Sequence, residues 1–378
     1  MVCYTPGIMH LAADHGEVEV AARDVAVSGP IPTVEALVHC LRGRGDVVAL
    51  ESLYESRVYG RWSIVSFDPA VRLRCRRLAD LSPFDELDQA PTLHFDSPIS
   101  LPLVGGWIGY VSYEAGGFLE RLPSRAACDL HLPLAALGLY DTVAIFDHDR
   151  GGWSVAGLEL PAAISGGRAP LASRLDSMAA ALEEASATRL SPPTPFATDP
   201  PDLTATAFAE NVRTILGHIR AGDIYQANLT QRFEVTLPES ATGWQLYRRL
   251  RRSNPADYAA YLCYGDFEVL CSSPELFLQV GDRNVLTRPI KGTRPRSADG
   301  EDNRQACEEL LASPKDLAEL AMIVDLERND LGRVCECGSI AVRWPPVVET
   351  HPTVNHLVAD VQGVLRPDKT IIDLLRAT

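Results

Sequence analysis

Short apolar runs separated by Gly, Pro and Asp turns fill the first part of the chain, up to about residue 160. The runs lie at Asp46 to Glu51, Arg61 to Val65, Gly105 to Tyr113, Val143 to Phe146 and Trp153 to Leu160. This spacing is typical of antiparallel sheets, because hairpins need only short connections. The chain has 378 residues, of which 46% are hydrophobic and 22% charged, so it can bury a large core. We therefore predict antiparallel sheet for this part.

A proline-rich stretch divides the chain. Ser191 to Pro201 reads SPPTPFATDPP, with five prolines in eleven residues, and predicts an extended linker on the surface. Before it, apolar residues at helical spacing predict a helix over Leu171 to Ala187. The predicted domains are residues 1–190, a linker at 191–203, and residues 204–378.

A helix and a strand are predicted after the linker. Apolar residues from Phe208 to Ile219 form one helical face, with Thr206 as the N-cap and Gly222 as the stop signal. The run from Ile224 to Thr236 predicts a strand.

Two hairpins follow. Their strands are Tyr258 to Tyr264 with Phe267 to Ser272, and Leu276 to Val280 with Val285 to Pro289. Folding the second hairpin about residue 283 places Glu275 opposite Lys291. A carboxylic acid and an amine are thus expected to meet at one end of a sheet.

Lys291 lies in RPIKGTRPR, where Gly292 and Thr293 follow the amine and Arg294 and Arg296 add positive charge. These groups suit a small carboxylated substrate. A partly desolvated lysine has a lowered pKa, which frees its neutral amine for nucleophilic attack. The alternative is an exposed lysine at a strand end in a basic loop.

Two helices are predicted next, Glu301 to Ala312 and Pro314 to Asp330, the second with Ser313 as its N-cap. Apolar residues surround the axis of the second helix, which predicts burial on most sides. Glu319 in this helix needs a partner if it is buried. One alternative is Mg²⁺, and the other is an ion pair with Arg288, Arg328 or Lys315.

His356 lies in the strand-like run TVNHLVADVQG, where a core role and a catalytic role both remain open. The nine cysteines are scattered over the chain, so reduced thiols are expected. Cys335 and Cys337 are the only close pair, and buried strand cysteines are favoured there over a zinc site.

The charge balance excludes several kinds of partner. Lys and Arg number 35 against 50 Asp and Glu, a net charge of −15, which argues against nucleic acid or an anionic membrane. No run is long enough for a membrane span, and the amino terminus lacks the pattern of a secretion signal. A cytoplasmic protein is expected. The sequence has no Walker A, dinucleotide, HExxH or GxSxG motif.

Five ordered blocks together resemble the chorismate-utilising enzymes. They are GDIYQANLTQRF (222 to 233), SSPELF (272 to 277), RPIKGTRPR (288 to 296), SPKDLAELAMIVDLERNDLGRV (313 to 334) and HLVADVQGVL (356 to 365). Upstream, GGWIGYVSYE (105 to 114) resembles the amino-terminal region of anthranilate synthase component I. Within the family the blocks are most similar to component I of aminodeoxychorismate synthases.

The resemblance implies an α+β fold of two large antiparallel sheets flanked by helices, with chorismate and Mg²⁺ bound between the sheets. It assigns residues 1–190 to the anthranilate synthase component I-like amino-terminal region and residues 204–378 to the chorismate-binding region. The implied reaction is amination of chorismate at C4 to 4-amino-4-deoxychorismate, in p-aminobenzoate and folate biosynthesis. The implied partner is a glutamine amidotransferase subunit that supplies ammonia.

The resemblance also implies roles for single residues. Lys291 matches the lysine that forms a covalent adduct with the ring, and Glu275 matches the general acid and base. Gly292 and Thr293 match substrate-contacting positions. Glu319 matches a magnesium-binding glutamate of the family, and His356 matches a histidine that lies near the substrate ring.

Two positions distinguish reactions within the family. At the position of Lys291, anthranilate synthases have a sequence resembling PIAGT, which contains no lysine. The lysine of this chain therefore favours amination at C4, with anthranilate synthase as the alternative. Isochorismate synthases carry a water-activating lysine where this chain has Gln226, which favours ammonia as the nucleophile. Ser52, in an LES sequence, and NPADY (254 to 258) resemble the tryptophan pocket of relatives.

Relatives continue beyond the last residues of this sequence with a block resembling FPGGSITGAPK. That continuation supplies a substrate-binding arginine and a second magnesium glutamate. We therefore expect the catalytic region to be incomplete at the carboxyl end. The alternative to an enzyme is a truncated, non-catalytic partner of a glutamine amidotransferase.

Overall fold

The protein is described by a computed structural model that covers residues 8–11, 18–53, 60–89, 91–94, 101–123, 128–193, 204–238 and 241–378. For residues 8–11 and 91–94 only the backbone is described. Most of the predicted linker, residues 194–203, and the start of the chain lie outside these ranges. Among the described residues, no helix is both long enough and apolar enough to cross a membrane.

The α-helices lie between and after the strands. They are α1 Val34–Leu41, α2 Pro83–Gln89, α3 Ala162–Ser165, α4 Leu171–Ala187, α5 Ala205–Ala221, α6 Gly243–Ser253, α7 Gly300–Ala312, α8 Pro314–Gly332 and α9 Ile371–Ala377. A 3₁₀ helix covers Tyr113–Phe118.

The strands are short except for the last two. They are β1 Ile8–Leu11, β2 Val20–Val25, β3 Val47–Glu51, β4 Trp62–Phe67, β5 Val71–Cys75, β6 Pro91–His94, β7 Gly106–Val111, β8 Ala135–Tyr140, β9 Thr142–Asp147, β10 Gly152–Leu158, β11 Tyr258–Cys263, β12 Glu268–Ser273, β13 Leu276–Gly281, β14 Asn284–Arg288, β15 Ile290–Pro295, β16 Ala341–Thr350 and β17 Val354–Val364. The predicted strands before residue 160 and both predicted hairpins are confirmed.

A seven-stranded antiparallel sheet joins distant parts of the chain. Its order is β12-β11-β3-β4-β9-β10-β2. β11 pairs with β3 so that Tyr261 faces Ala49, and strands from both sides of the proline-rich stretch therefore share one sheet. Helices α1 and α4 pack on this sheet, and α4 has the bounds that the sequence predicts.

A five-stranded antiparallel sheet carries most of the predicted site residues. Its order is β13-β14-β17-β15, and β16 also pairs with β17. Leu278 and Val285 of the hairpin and Leu357 of β17 join the core formed with α8 and α9. Smaller sheets have the orders β5-β8-β7 and β1-β6. The predicted α+β class, with antiparallel sheets flanked by helices, is confirmed.

Helix α8 begins as predicted but is buried on one side. The Ser313 hydroxyl accepts the backbone N–H of Asp316 at 3.3 Å, which caps the helix. Leu320 and Val324 are buried, whereas Leu326 is 47% exposed. The prediction of burial on most sides was wrong, because only the side that packs against β15 and β17 is covered within the described chain.

The chain divides into two compact units, residues 1–190 with 250–378, and residues 191–249. The predicted division into 1–190, a linker at 191–203 and 204–378 stays a prediction. The described cysteines form no disulfide. Cys335 is buried as predicted, but Cys337 is exposed, because it follows the single bridge between Cys335 and Leu365 and lies outside the strands.

The unit of residues 191–249 departs from prediction in two places. The N-cap of α5 is Thr204, whose hydroxyl accepts the backbone N–H of Ala207 at 3.2 Å, and the predicted cap at Thr206 was wrong. Gly222 ends the helix with a φ of 81°, as predicted. The predicted strand Ile224 to Thr236 was also wrong, since residues 224–236 pair with no described strand and extended backbone without a partner is not a strand.

Candidate active site

The β13–β14 hairpin brings Glu275 to one end of the five-stranded sheet. Gly281 faces Asn284, and the turn consists of Asp282 and Arg283, with φ values of 48° and 68°. Left-handed residues in a two-residue turn match the twist of the strands. The turn centre therefore lies between these two residues, half a residue before the predicted centre.

Glu275 does not lie opposite Lys291 in the hairpin, and that prediction was wrong. The register shifts between Leu276 and Gln279, so that Leu276 faces Arg288, where β14 ends. Lys291 belongs to the next strand, β15, which pairs with β17. The Glu275 carboxylate nevertheless accepts the backbone N–H of Ile290 at 2.8 Å, and so lies beside the residue that precedes Lys291.

A break in strand pairing surrounds Lys291. Ile290 faces Val358 and Thr293 faces His356, with a register shift between them. Gly292 has a φ of 79°, and a Cβ there would come within 2.9 Å of Asp316 and of Leu310. Such a bulge turns a side chain away from the direction that regular pleating would give it. Lys291 is half buried at this point.

Thr293 and His356 form a hydrogen-bonded pair across the two strands. The Thr293 hydroxyl lies 3.0 Å from Nδ1 of His356. Burial lowers the pKa of His356, and neighbouring His351, with ring centroids 5.2 Å apart, lowers it further. Glu349 opposes both effects. His356 is therefore a neutral hydrogen-bonding group at pH 7.

Arg294 and Arg296 of RPIKGTRPR were expected to add positive charge near Lys291. Both form contacts with other groups. Arg294 pairs with Asp316 at 3.0 Å. A hydrogen bond with the Ser313 side chain and the Arg294 guanidinium lower the pKa of Asp316, so the pair stays ionised. Arg296 donates to the His351 carbonyl at 3.3 Å. Neither guanidinium is available without breaking a contact.

A buried arginine at the end of β14 forms a cluster with several carboxyl groups. The sequence analysis did not predict this cluster. Arg288 is 4% exposed and donates to Asp360 at 2.9 Å and to Glu349. Burial and the Glu349 charge raise the pKa of nearby Asp257 to about 6, while Arg288 lowers it. No local pattern reveals the cluster, because its members come from β14, β16, β17 and the approach to β11.

Glu327 of α8 is a second carboxyl that the sequence did not single out. Burial is the main reason that its pKa rises to about 7, and the charges of Glu275 and Asp330 add to the rise. The Lys291 charge and a hydrogen bond with Thr287 act in the opposite direction. The hairpin carboxylate, the lysine and this helix carboxyl therefore share one electrostatic environment.

Glu319, two helical turns earlier, was predicted to bind Mg²⁺. Its side chain is half buried. In the part of the chain that the structure describes, no three His, Cys, Asp or Glu side chains are grouped as a metal site requires. A single carboxylate agrees with Mg²⁺ chemistry only when waters and substrate oxygens supply the other ligands.

Gln226 and Ser52 are the remaining two predicted residues. Gln226 is half buried in the unit of residues 191–249, between α5 and α6. The Ser52 hydroxyl donates to the Asp257 carbonyl at 3.2 Å, and the Leu53 N–H donates to the Ala256 carbonyl at 3.0 Å. The two sequence segments that resemble a tryptophan pocket are thus brought together. Residues 54–59, which follow Leu53, lie outside the described ranges.

The five-stranded sheet and the residue before β13 therefore carry Glu275, Lys291, Gly292, Thr293 and His356, and the charges of Glu275 and Lys291 influence the pKa of Glu327 on α8. An amine, two carboxyls of different environment and a neutral histidine can support nucleophilic attack with proton transfer.

Comparison with known proteins identifies the family of this chain. A family model described as "chorismate binding enzyme" matches residues 50–378. The chain is 40% identical over 277 residues to aminodeoxychorismate synthase component 1 of Klebsiella aerogenes, covering 73% of this chain and 58% of that protein. It is 38% identical over 297 residues to anthranilate synthase component 1 of Thermus thermophilus, covering 75% of this chain and 59% of that protein.

A solved structure extends the similarity to the fold. Anthranilate synthase component I from Streptococcus pneumoniae superposes with a TM-score of 0.70 at 26% identity, covering 94% of this chain and 79% of that one. The chain spans less than two thirds of the length of the Klebsiella and Thermus relatives. Because the family model matches most of the chain, from residue 50 to residue 378, this protein belongs to the chorismate-binding enzyme family.

Proposed function

We propose that this protein is an aminodeoxychorismate synthase component I, which aminates chorismate at C4 with ammonia from a separate glutamine amidotransferase subunit. The product is 4-amino-4-deoxychorismate, on the route to p-aminobenzoate and folate. The observation that carries the proposal is the half-buried lysine in the β15 bulge, between the Glu275 carboxylate and the Thr293–His356 pair. The similarity to the Klebsiella protein supports the same reaction.

The first step is attack of the unprotonated Lys291 nitrogen on C2 of the ring. The ring double bonds shift and the C4 hydroxyl leaves. Glu275 donates the proton with which that hydroxyl departs as water. Glu275 suits this role because its carboxyl lies at the backbone N–H next to the lysine. Thr293 and neutral His356 supply hydrogen bonds on the adjoining strand.

In the second step ammonia attacks C4, the C2–nitrogen bond to Lys291 breaks, and the lysine is recovered. Gln226 supports ammonia over water as the nucleophile, since a neutral amide cannot act as a base for water. The choice of lysine at 291 also supports covalent chemistry. Only three of the 35 basic residues are lysines, at 291, 315 and 369. Arginine keeps its proton in proteins and cannot replace an attacking amine.

Mg²⁺ is proposed as the cofactor, with Glu319 as its protein ligand. When bound, the ion offsets the negative charge of the substrate carboxylate. Lys291, Glu275 and the Thr293–His356 pair perform the covalent and proton-transfer steps.

Anthranilate synthase is the second candidate, since the Thermus relative matches at 38% identity. That reaction aminates C2 and needs no lysine adduct. A third possibility is a partner that binds an amidotransferase without turnover. The three differ in product and in covalent state, so one assay separates them.

The test incubates the protein with chorismate, Mg²⁺ and ammonium, followed by chromatography of the products and mass spectrometry of the protein. We expect 4-amino-4-deoxychorismate and an adduct on the peptide that contains Lys291. Lys291→Ala should lower the rate by at least about a hundredfold. The matched control, Lys315→Ala, changes an exposed lysine and should leave both readouts unchanged. Amination at C2, or C4 amination without Lys291, would refute the proposal.

A further inference from the structure

A salt bridge between β15 and helix α8 lies shortly after Lys291, and the proposed reaction does not yet use it. The Arg294 guanidinium donates to the Asp316 carboxylate at 3.0 Å and, through its other terminal nitrogen, to the Thr293 carbonyl at 3.0 Å. The hydroxyl of the same threonine lies 3.0 Å from Nδ1 of His356. One guanidinium therefore links the first turn of α8 to the backbone of a residue of the proposed site.

Asp316 is firmly held at the helix end of this link. It is 8% exposed, and its backbone N–H donates to the Ser313 hydroxyl at 3.3 Å. It lies in the first turn of α8, where the helix dipole favours a negative charge. The Ser313 side chain and the Arg294 guanidinium lower the pKa of its carboxyl, so the group is ionised at neutral pH. Its hydrogen bond with the guanidinium is therefore charge-assisted and stronger than a neutral one.

The bulge after Lys291 is closely packed against two helices. Gly292 has a φ of 79°, and an added Cβ there would lie 2.9 Å from the Asp316 side chain and 2.9 Å from the side chain of Leu310 in α7. Leu310 is completely buried. The Asp316 side chain thus lies against the bulge itself, in addition to its bond with the arginine that follows.

We propose that Asp316, acting through Arg294, is a positioning residue that holds the backbone around Lys291 in one conformation for attack on the ring. The inference rests on the proposed function and deepens it. In this role the pair exchanges no proton and forms no bond with the substrate. The attacking nitrogen lies at the end of a four-carbon side chain, so a displacement of the backbone at its base is carried to the amine. Misplacement of a reacting group by about 1 Å can lower a rate about a hundredfold.

A purely stabilising role for these contacts has different consequences. A pair that only stabilises the fold changes the fraction of folded protein, whereas kcat for each folded molecule stays the same. The proposed covalent step begins at Lys291, so a loss of position lowers kcat and the rate of adduct formation. KM for chorismate should change little, because the pair forms no bond with the substrate.

The first test observes the bulge by NMR and needs no turnover. Lys291–Gly292 is the only Lys–Gly bond in the chain, so lysine labelled with ¹³C at the carbonyl and glycine labelled with ¹⁵N give a single amide correlation. We expect one narrow signal in the wild type. In Arg294→Gln and in Asp316→Asn we expect a second signal or exchange broadening, because the backbone then samples more than one conformation. Asp325→Asn, at an exposed carboxylate of the same helix, should match the wild type. A single narrow signal in both variants would overturn the inference.

The second test measures kcat, KM for chorismate and the rate of adduct formation, each for the folded fraction determined by circular dichroism. We expect Asp316→Asn and Arg294→Gln each to lower kcat and the adduct rate about 10–100-fold, with KM changed less than about threefold. Asp316→Glu keeps the charge and should recover most of the lost kcat. The matched controls, Asp325→Asn and Arg304→Gln, change exposed side chains and should behave as the wild type.

The double variant Arg294→Gln/Asp316→Asn tests whether the two residues act as a unit. Both single changes remove the same link, so the double variant should be no slower than the slower single variant. A loss equal to the product of the two single losses would overturn the inference. So would a kcat for folded protein that equals that of the wild type in both single variants.

The two proposals fail in different ways. If the adduct on Lys291 forms at the wild-type rate in both single variants, the proposed function stands and the inference is refuted. If the wild type forms no adduct, the proposed function fails, and the NMR signal of Gly292 alone decides whether the pair fixes the bulge.

Discussion

Replacing Asp257 by asparagine should stabilise the protein increasingly as pH rises. Asp257 is 6% exposed, and its Oδ1 atom has no hydrogen-bond partner. It lies near Glu349, while the charge of Arg288 is already engaged by Glu349 and Asp360. One buried guanidinium thus faces three carboxyls, so ionising all three is unfavourable.

The size of this change in the free energy of unfolding follows from the pKa of Asp257, which burial and Glu349 raise from 3.8 to about 6. Between these values the folded state binds the proton more tightly than the unfolded state. The stabilisation due to this proton is present below pH 4 and is lost as pH rises through 6. The loss amounts to about 3 kcal/mol. Asparagine has a similar shape and no charge at any pH, so the variant avoids this loss.

The assay is guanidinium-induced unfolding of both proteins between pH 4 and 8, followed by circular dichroism. We expect the free energy of unfolding of Asp257→Asn, relative to wild type, to increase by about 2–3 kcal/mol from pH 4 to pH 7. The denaturant slope should not change. Asp325→Asn, at a carboxylate whose side chain is 79% exposed, should give a difference independent of pH. A constant difference for Asp257→Asn, or one that falls with pH, would refute the reasoning.

Three further predictions concern the site. Gly292→Ala should destabilise the protein by about 2–4 kcal/mol in the same unfolding assay, because the left-handed backbone and the overlap with neighbouring side chains both disfavour a Cβ. His356 should titrate below pH 6.5 by NMR, and His351→Gln should raise its pKa by removing a neighbour that disfavours the second charge. A midpoint unaffected by that change would contradict the coupling. Glu319→Gln should weaken Mg²⁺ binding, measured calorimetrically with chorismate present, by about tenfold or more, whereas equal affinity would exclude Glu319 as a ligand.

Local patterns predicted the elements that local interactions determine. The bounds of α4 follow from the helical spacing of its apolar residues. The Ser313 cap follows from a side-chain hydrogen bond to a residue three positions away. The predicted strand at 224–236 had the right composition, but a strand also requires a pairing partner, which composition does not supply. Elements that depend on a distant segment are therefore the ones that sequence patterns predict least well.

Small irregularities had the largest effect on the predicted site. One register shift moved Lys291 out of line with Glu275, and a second interrupts strand pairing at Lys291 and Gly292. The sequence pattern of a regular hairpin predicts neither irregularity of strand pairing. A bulge depends on what packs against the strand, here Asp316 of α8. The approach of Glu275 to the backbone beside Lys291 was still predicted, since the two residues flank the same hairpin. Glu327 was missed because its significance arises from burial against another element.

The acidic composition of the chain leads to a final argument about its site. A net charge of −15 disfavours an anionic substrate, and the arginines nearest Lys291 already have partners. The protein can reduce this repulsion by holding protons on carboxyls near the substrate. The raised pKa of Glu327, about 7, has that effect near neutral pH. Binding of a carboxylated substrate would raise this pKa further, since each anion disfavours the other's ionisation. Chorismate binding should therefore be accompanied by proton uptake, which calorimetry in buffers of different ionisation enthalpy measures. Binding without proton uptake would show that Glu327 does not sense the substrate.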